Sequence, residues 1–176
     1  TLFPYTKLFR SDKVLDNFYP RMIELQKEYA RKLLTHVNPY TSLPYTDEPA
    51  VAVIEINNEN SLFAQYLRGT IDRLPDPYSA EFRVQWNAWL KRRYSNSEGL
   101  MEAWKEFNAD RSKQQSTDST DVDKFFADGG TIEANSVPTL KSKSTAPASA
   151  KRDFYQFLID TERVYWTGMY RFLKDE

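Results

Sequence analysis

The sequence predicts an α/β protein, mostly helical, with one buried strand of the parallel type at about residues 50–58. Three observations carry that class. "AVAVIEI", residues 50–56, is β-branched and apolar at nearly every position. Both of its faces would be covered, as in a parallel sheet with helices outside. Long stretches elsewhere repeat apolar residues at helical spacing. No second run in the 176 residues reads as a convincing strand. One strand cannot bury two faces alone, so its neighbours are expected to lie outside these residues.

The elements follow in order. Residues 1–17 carry no sustained period and hold Pro4 and a Ser11-Asp12-Lys13 cluster, which reads as a loop. From Tyr19 to about Leu34, Met22, Leu25, Gln26, Tyr29 and Leu33 recur at helical spacing, with charged residues mainly between them. Pro20 sits where a first-turn proline is tolerated. A connection punctuated by Pro39, Pro44 and Pro49 leads to the strand. "SLFAQYLRGT" (61–70) reads as a short helix. Tyr78–Tyr94 is a longer one, with Phe82, Gln85, Trp86, Trp89, Leu90 and Arg93 in period. Residues 96–108 form a further helix, for which Ser97 is the candidate N-cap.

Residues 109–150 are rich in Ser, Thr, Asp and Lys and are expected to form an irregular insertion. The last 27 residues or so form a helix striped by Phe154, Phe157, Leu158, Thr161, Val164, Tyr165, Gly168, Phe172 and Leu173.

Composition bounds the function. With 40% hydrophobic and 28% charged residues the chain is globular in character. A net charge of −1 gives no field directed at nucleic acid or an anionic membrane. There is no Cys, which excludes disulfides and thiolate metal sites. No apolar run approaches the ~20 residues of a membrane span. The opening "TLFPYTKLFR" has neither Met nor a signal pattern, so the chain is expected to be an excerpt of a longer one. Aromatics make up 15% of the residues, enough for a ring-packed core or for stacking on flat ligands.

The strand ends in Asn57-Asn58-Glu59-Asn60. In parallel α/β folds, function gathers at the carboxyl ends of strands. Strand alternation would place Val51, Val53, Glu55, Asn57 and Glu59 on one face. A carboxylate walled by apolar strands is partly desolvated, which raises its pKa and suits a general acid.

"VIEINNEN" resembles the fourth-strand motif of clan A glycoside hydrolases, the (β/α)8 barrels that include family 5 and family 42 enzymes. The flanks "ELQKEYARKLLTHVNPYTSLPYTDEPAV" and "QWNAWLKRRYSNSEGLMEAW" resemble segments of cellulase-like members. The resemblance implies a partial TIM (β/α)8 barrel, with residues 1–176 a fragment of one catalytic domain. It implies a retaining glycosidase in which Glu59 is the acid/base and Asn58 the ligand of the sugar 2-hydroxyl. Asn57 and Asn60 flank that ligand. Asn60 stands where many family members have Pro, and Glu55 matches an internal Glu of some members. Phe63 and Tyr66, just beyond, are further substrate-binding candidates, with Gln65 beside them.

Such an enzyme would act on a β-linked poly- or oligosaccharide. It needs no cofactor and no metal, and it is not expected to bind nucleic acid or membrane. A secreted or periplasmic location would suit that substrate. The nucleophile of a retaining site stands ~5–5.5 Å from the acid/base. No strand-end Glu after Glu59 supplies it, Glu133 lying in too short a run. The remainder of its own barrel is therefore the expected partner.

Two other readings stand beside this one. The first is a non-catalytic carbohydrate-binding or degenerate barrel. The second is a helical interaction domain with no sugar role, in which 50–59 pairs with nothing or is itself a helix. His36 lies between helix and strand, where a packing or loop-tying role is favoured. Trp86 and Trp89 share the spacing of a core-facing stripe with Phe82.

Overall fold

A computed structural model describes residues 12–112, 122–127 and 130–175. Its elements are helices: α1 (Asp12–Leu15), α2 (Pro20–Leu34), α3 (Leu62–Leu67), α4 (Tyr78–Tyr94), α5 (Ser97–Ser112), α6 (Val122–Ala127) and α7 (Ala148–Asp175), with a 3-10 turn at Ile71–Arg73. Among the described residues there is no β-strand, only an isolated antiparallel bridge between Val37 and Pro44.

This corrects the expected fold. There is no sheet and no barrel fragment among the described residues: Ala50 closes a turn, 51–55 form no regular element and Ile56 begins a bend. The Val51 N–H reaches the Glu48 carbonyl at 3.0 Å, but the amides of residues 52–56 make no backbone hydrogen bond among the described residues. The physical reason is that β-propensity measures fit to a pleated, half-buried surface. A strand exists only where a second one completes the ladder. The residues that look buried in sequence are in fact exposed from Ala50 to Glu55.

The chain divides into two compact units. The first is Thr1–Leu62 with Asp160–Glu176, described for 12–62 and 160–175. Among the described residues, Val14, Leu15, Phe18, Leu34, Leu62, Tyr165 and Met169 are its buried apolar residues. Helix α2 starts on Pro20, as its fixed φ favours. Yet Leu25, Tyr29 and Leu33, one stripe at i, i+4 and i+8, are all exposed. In the second half of α7, Val164 is exposed and Met169 buried. The sealed stripe there therefore runs through Tyr165 and Met169, a register the apolar pattern alone did not single out.

The second unit is Phe63–Ile159. Its core is aromatic: Trp86, Phe82, Phe154 and Phe157 are all buried. Trp86 stacks on Trp89 (centroids 5.7 Å apart, planes at 15°) and meets Phe154 nearly edge-on at 5.2 Å. Asn87, fully buried on α4, pairs both of its amide groups with the backbone of Val137. It donates to the carbonyl at 3.0 Å and accepts from the N–H at 3.0 Å. A side-chain amide thus stands in for a ladder partner, which satisfies a buried peptide group. Helix α5 is capped by Asn96, whose Oδ1 accepts from the Gly99 N–H at 2.9 Å. Ser97, the expected cap, instead accepts from the Ile132 N–H at 2.9 Å. Among the described residues of 109–150, α5 runs on to Ser112 and α6 is helical, while 130–147 is irregular.

Candidate functional site

The amide-rich run at 57–60 is tied into the first unit by hydrogen bonds. Asn57 Nδ2 donates to the Tyr165 hydroxyl at 3.1 Å and to Asp16 Oδ2 at 3.4 Å. Tyr165 in turn donates to Gln26 Oε1 at 2.6 Å, and Gln26 Nε2 donates to the Asp16 carbonyl at 3.1 Å. Asn60 is buried, with Nδ2 donating to the Lys13 carbonyl and to Asp16 Oδ2. Lys13 Nζ reaches the Asn58 carbonyl at 3.3 Å. The asparagines thus fasten a segment that no sheet holds, linking it to α1, α2 and α7. Burial and the charge of Asp16 push the Tyr165 phenol up, against a lowering by the hydrogen bond from Asn57.

The predicted site residues are not assembled as a glycosidase requires. Glu59 is exposed, with φ of 47°, in the left-handed region that is uncommon for a residue with a Cβ. Asn58 is also exposed. No wall of strands desolvates either of them. Asn57 and Asn60 converge on Asp16 instead.

Phe63 and Tyr66 belong to the second unit, where Phe63 meets Tyr155 edge-on at 5.3 Å and Tyr66 is buried. Glu133 is exposed and holds the start of α5, accepting from the Ser97 N–H at 2.8 Å. The Ser97 hydroxyl and amide hold its carboxyl below the usual range. With no barrel, the glycoside-hydrolase fold, the acid/base scaffold and the remainder of a barrel as partner are all overturned.

Tyr66 offers a test of its own placement. Its hydroxyl donates to the Lys141 carbonyl at 3.0 Å. Burial first, then Tyr155 and Asp72, push the phenol up to about 12. A folded-state pKa above the unfolded value favours the protonated form in the fold. The corresponding stability is fully present below pH ~10 and is lost as pH rises toward ~12. Urea midpoints between pH 9 and 12 should therefore fall more steeply for the wild type than for Tyr66→Phe. Equal slopes would show that Tyr66 is not sequestered.

What the first unit does present is an apolar surface. Val53 is 83% exposed at the centre of segment 50–56, with Val51 and Ile54 exposed beside it. Ala52, Ile54 and Ile56 line a shallow groove of about 300 Å³ with Tyr45, Tyr170 and Leu173. Sequence reasoning read the 50–56 run as buried. The signal that it is not was the missing second strand. His36 is exposed, with its ring centroid 6.0 Å from that of Tyr45.

Among the described residues no three His, Asp or Glu side chains converge as metal ligands would, and no helix is long and apolar enough to cross a membrane. Comparison of the chain with protein-family models, curated proteins and solved structures finds no match, so its function is read from its own geometry.

Proposed function

We propose that this chain is a helical protein-interaction module whose docking element is the segment 50–56. That segment takes a β-strand of a partner polypeptide by strand addition. The carrying observation is that residues 51–55 form no regular element, expose Val51, Val53 and Ile54, and, with Ile56, leave the amides of 52–56 without a backbone partner among the described residues. Each ladder bond formed there nets about 0.5–1.5 kcal/mol. Covering an exposed Val or Ile side chain adds up to about 1.5–3 kcal/mol. The Asn57 and Asn60 hydrogen bonds hold the segment's far end in place, which lowers the ordering cost of docking.

Glu55 argues for a different polypeptide over a second copy. Parallel, in-register self-pairing sets Glu55 beside Glu55. Antiparallel pairing about Val53 sets both Glu55 carboxylates against Val51. Neither arrangement compensates the charge. A partner strand with Lys or Arg opposite Glu55 does.

The test is selection of displayed extended peptides on the folded protein. Clones should carry alternating β-branched residues and a basic residue, and should lose binding to Val53→Pro, which removes an amide donor from an exposed segment. Glu55→Lys should invert the charge preference. Circular dichroism verifies that both variants fold. Binders insensitive to Val53→Pro, such as ones that need Tyr29, would overturn the reading. So would self-association, seen by sedimentation, that Val53→Pro abolishes.

A further inference from the structure

A separate feature of the second unit carries an inference independent of the docking segment. Two chain segments about 70 residues apart meet beyond the end of α3. The first is the turn 67–73. Gly69 ends α3 with φ of 68°, its N–H reaching the Tyr66 carbonyl at 2.8 Å, while the Thr70 N–H reaches the Gln65 carbonyl at 2.9 Å. This is a left-handed helix stop that suits glycine. A Cβ at Gly69 would also meet Ser142 Oγ at 3.4 Å.

The second segment is 141–144. Asp72 clamps it, accepting from the Ser142 N–H at 3.1 Å on each oxygen and from the Ser142 hydroxyl at 2.7 Å. The Tyr66 hydroxyl holds the Lys141 carbonyl from below.

The clamp frames a concavity of about 400 Å³ walled by Arg68 and Arg73 from one segment and by Lys141 and Lys143 from the other. Asp72 is the one carboxylate in its lining, and its oxygens are engaged by Ser142. None of the four cations is ion-paired among the described residues. Elsewhere the chain does pair such groups, as in Arg21 with Glu28 and Arg163 with Asp160. Four like charges around one hollow repel each other and focus a positive potential into it. Arginine presents forked donors that match a phosphate or carboxylate. The Ser144 hydroxyl, which among the described residues only accepts, adds a neutral donor at the same rim. The volume sits at the lower end of small-molecule sites.

We infer that this hollow binds a small, multiply charged oxyanion of the phosphate-ester or pyrophosphate class. The Asp72–Ser142 clamp presents the cations to it. Asp72 is thus a positioning residue, although its own charge opposes the ligand.

That opposition of signs makes the test decisive. Inorganic pyrophosphate is titrated calorimetrically into the intact chain, with sodium chloride at matched ionic strength as the reference. Saturable binding of one pyrophosphate per chain is expected. The double variant Arg73→Gln/Lys143→Gln alters only exposed side chains and should fold. It should weaken binding at least tenfold, while Arg92→Gln, a cation outside the lining, should leave it unchanged. Asp72→Ala removes a negative charge. A diffuse positive patch would then bind pyrophosphate more tightly, whereas a clamped site binds it several-fold more weakly. Lack of saturation beyond the chloride reference, equal loss in Arg92→Gln, or tighter binding by Asp72→Ala would each overturn the inference.

Discussion

Trp86→Ala is expected to destabilise the second unit by about 3–5 kcal/mol, the range for truncating a fully buried aromatic. Trp86 has no exposed surface and meets three other rings, Trp89, Phe154 and Phe157, at centroid distances of 5.7, 5.2 and 5.3 Å; Phe82 packs on the same Phe154 and Phe157. Truncation leaves a cavity that rigid rings cannot collapse into, so the cavity penalty adds to the lost transfer free energy. The indole N–H also donates to the Pro138 carbonyl at 3.2 Å, and that acceptor loses its partner. Urea unfolding followed by near-ultraviolet circular dichroism should show a lower midpoint at unchanged slope. A loss below about 1 kcal/mol would mean that the ring cluster is not the core of this unit.

Asp153→Ala should cost about 1–3 kcal/mol, the cost of leaving a buried donor without its acceptor, since the Arg152 guanidinium is partly in solvent. Asp153 is 1% exposed, on the first half of α7. It accepts from Trp104 Nε1 at 2.9 Å, from Arg152 Nε at 2.8 Å and from the Tyr94 hydroxyl. Alanine leaves a buried indole N–H with no acceptor and Arg152 without its counter-charge. Asp153→Asn keeps an acceptor and should cost less.

A second readout separates this network from mere packing. Burial and the hydrogen bond to Asp153 raise the Tyr94 phenol. Its phenolate absorbance should therefore appear at lower pH in Asp153→Ala than in the wild type. An unchanged titration would show that Tyr94 does not lean on Asp153.

The helices were largely legible, because helical signals are local. Pro20 and the i, i+4 pattern mark α2, and Tyr78–Tyr94 is bounded in the structure as in the sequence. The aromatic core was legible too, since Phe82, Trp86 and Trp89 share a spacing that buries one face. Less was legible at 50–60. Side-chain type there predicts a strand, and the resemblance drew a catalytic carboxylate from it. Pairing, though, is a property of two segments, and the described residues hold only one. Nor does sequence reveal that Asn57 and Asn60 would spend their amides on Asp16, Tyr165 and Lys13, because those partners lie 41 to 108 residues away. The cap of α5 fell to Asn96 because Ser97 is engaged by Ile132 and Glu133.

By itself, then, the sequence determined where the backbone coils and which rings are sealed inside, since both depend on neighbours within a turn or two. Only the tertiary structure decided that Val53 stays in water and that Arg68 and Arg73 meet Lys141 and Lys143 around one hollow. Each of those outcomes depends on which distant segment arrives as a partner, or fails to arrive, and no local pattern encodes that.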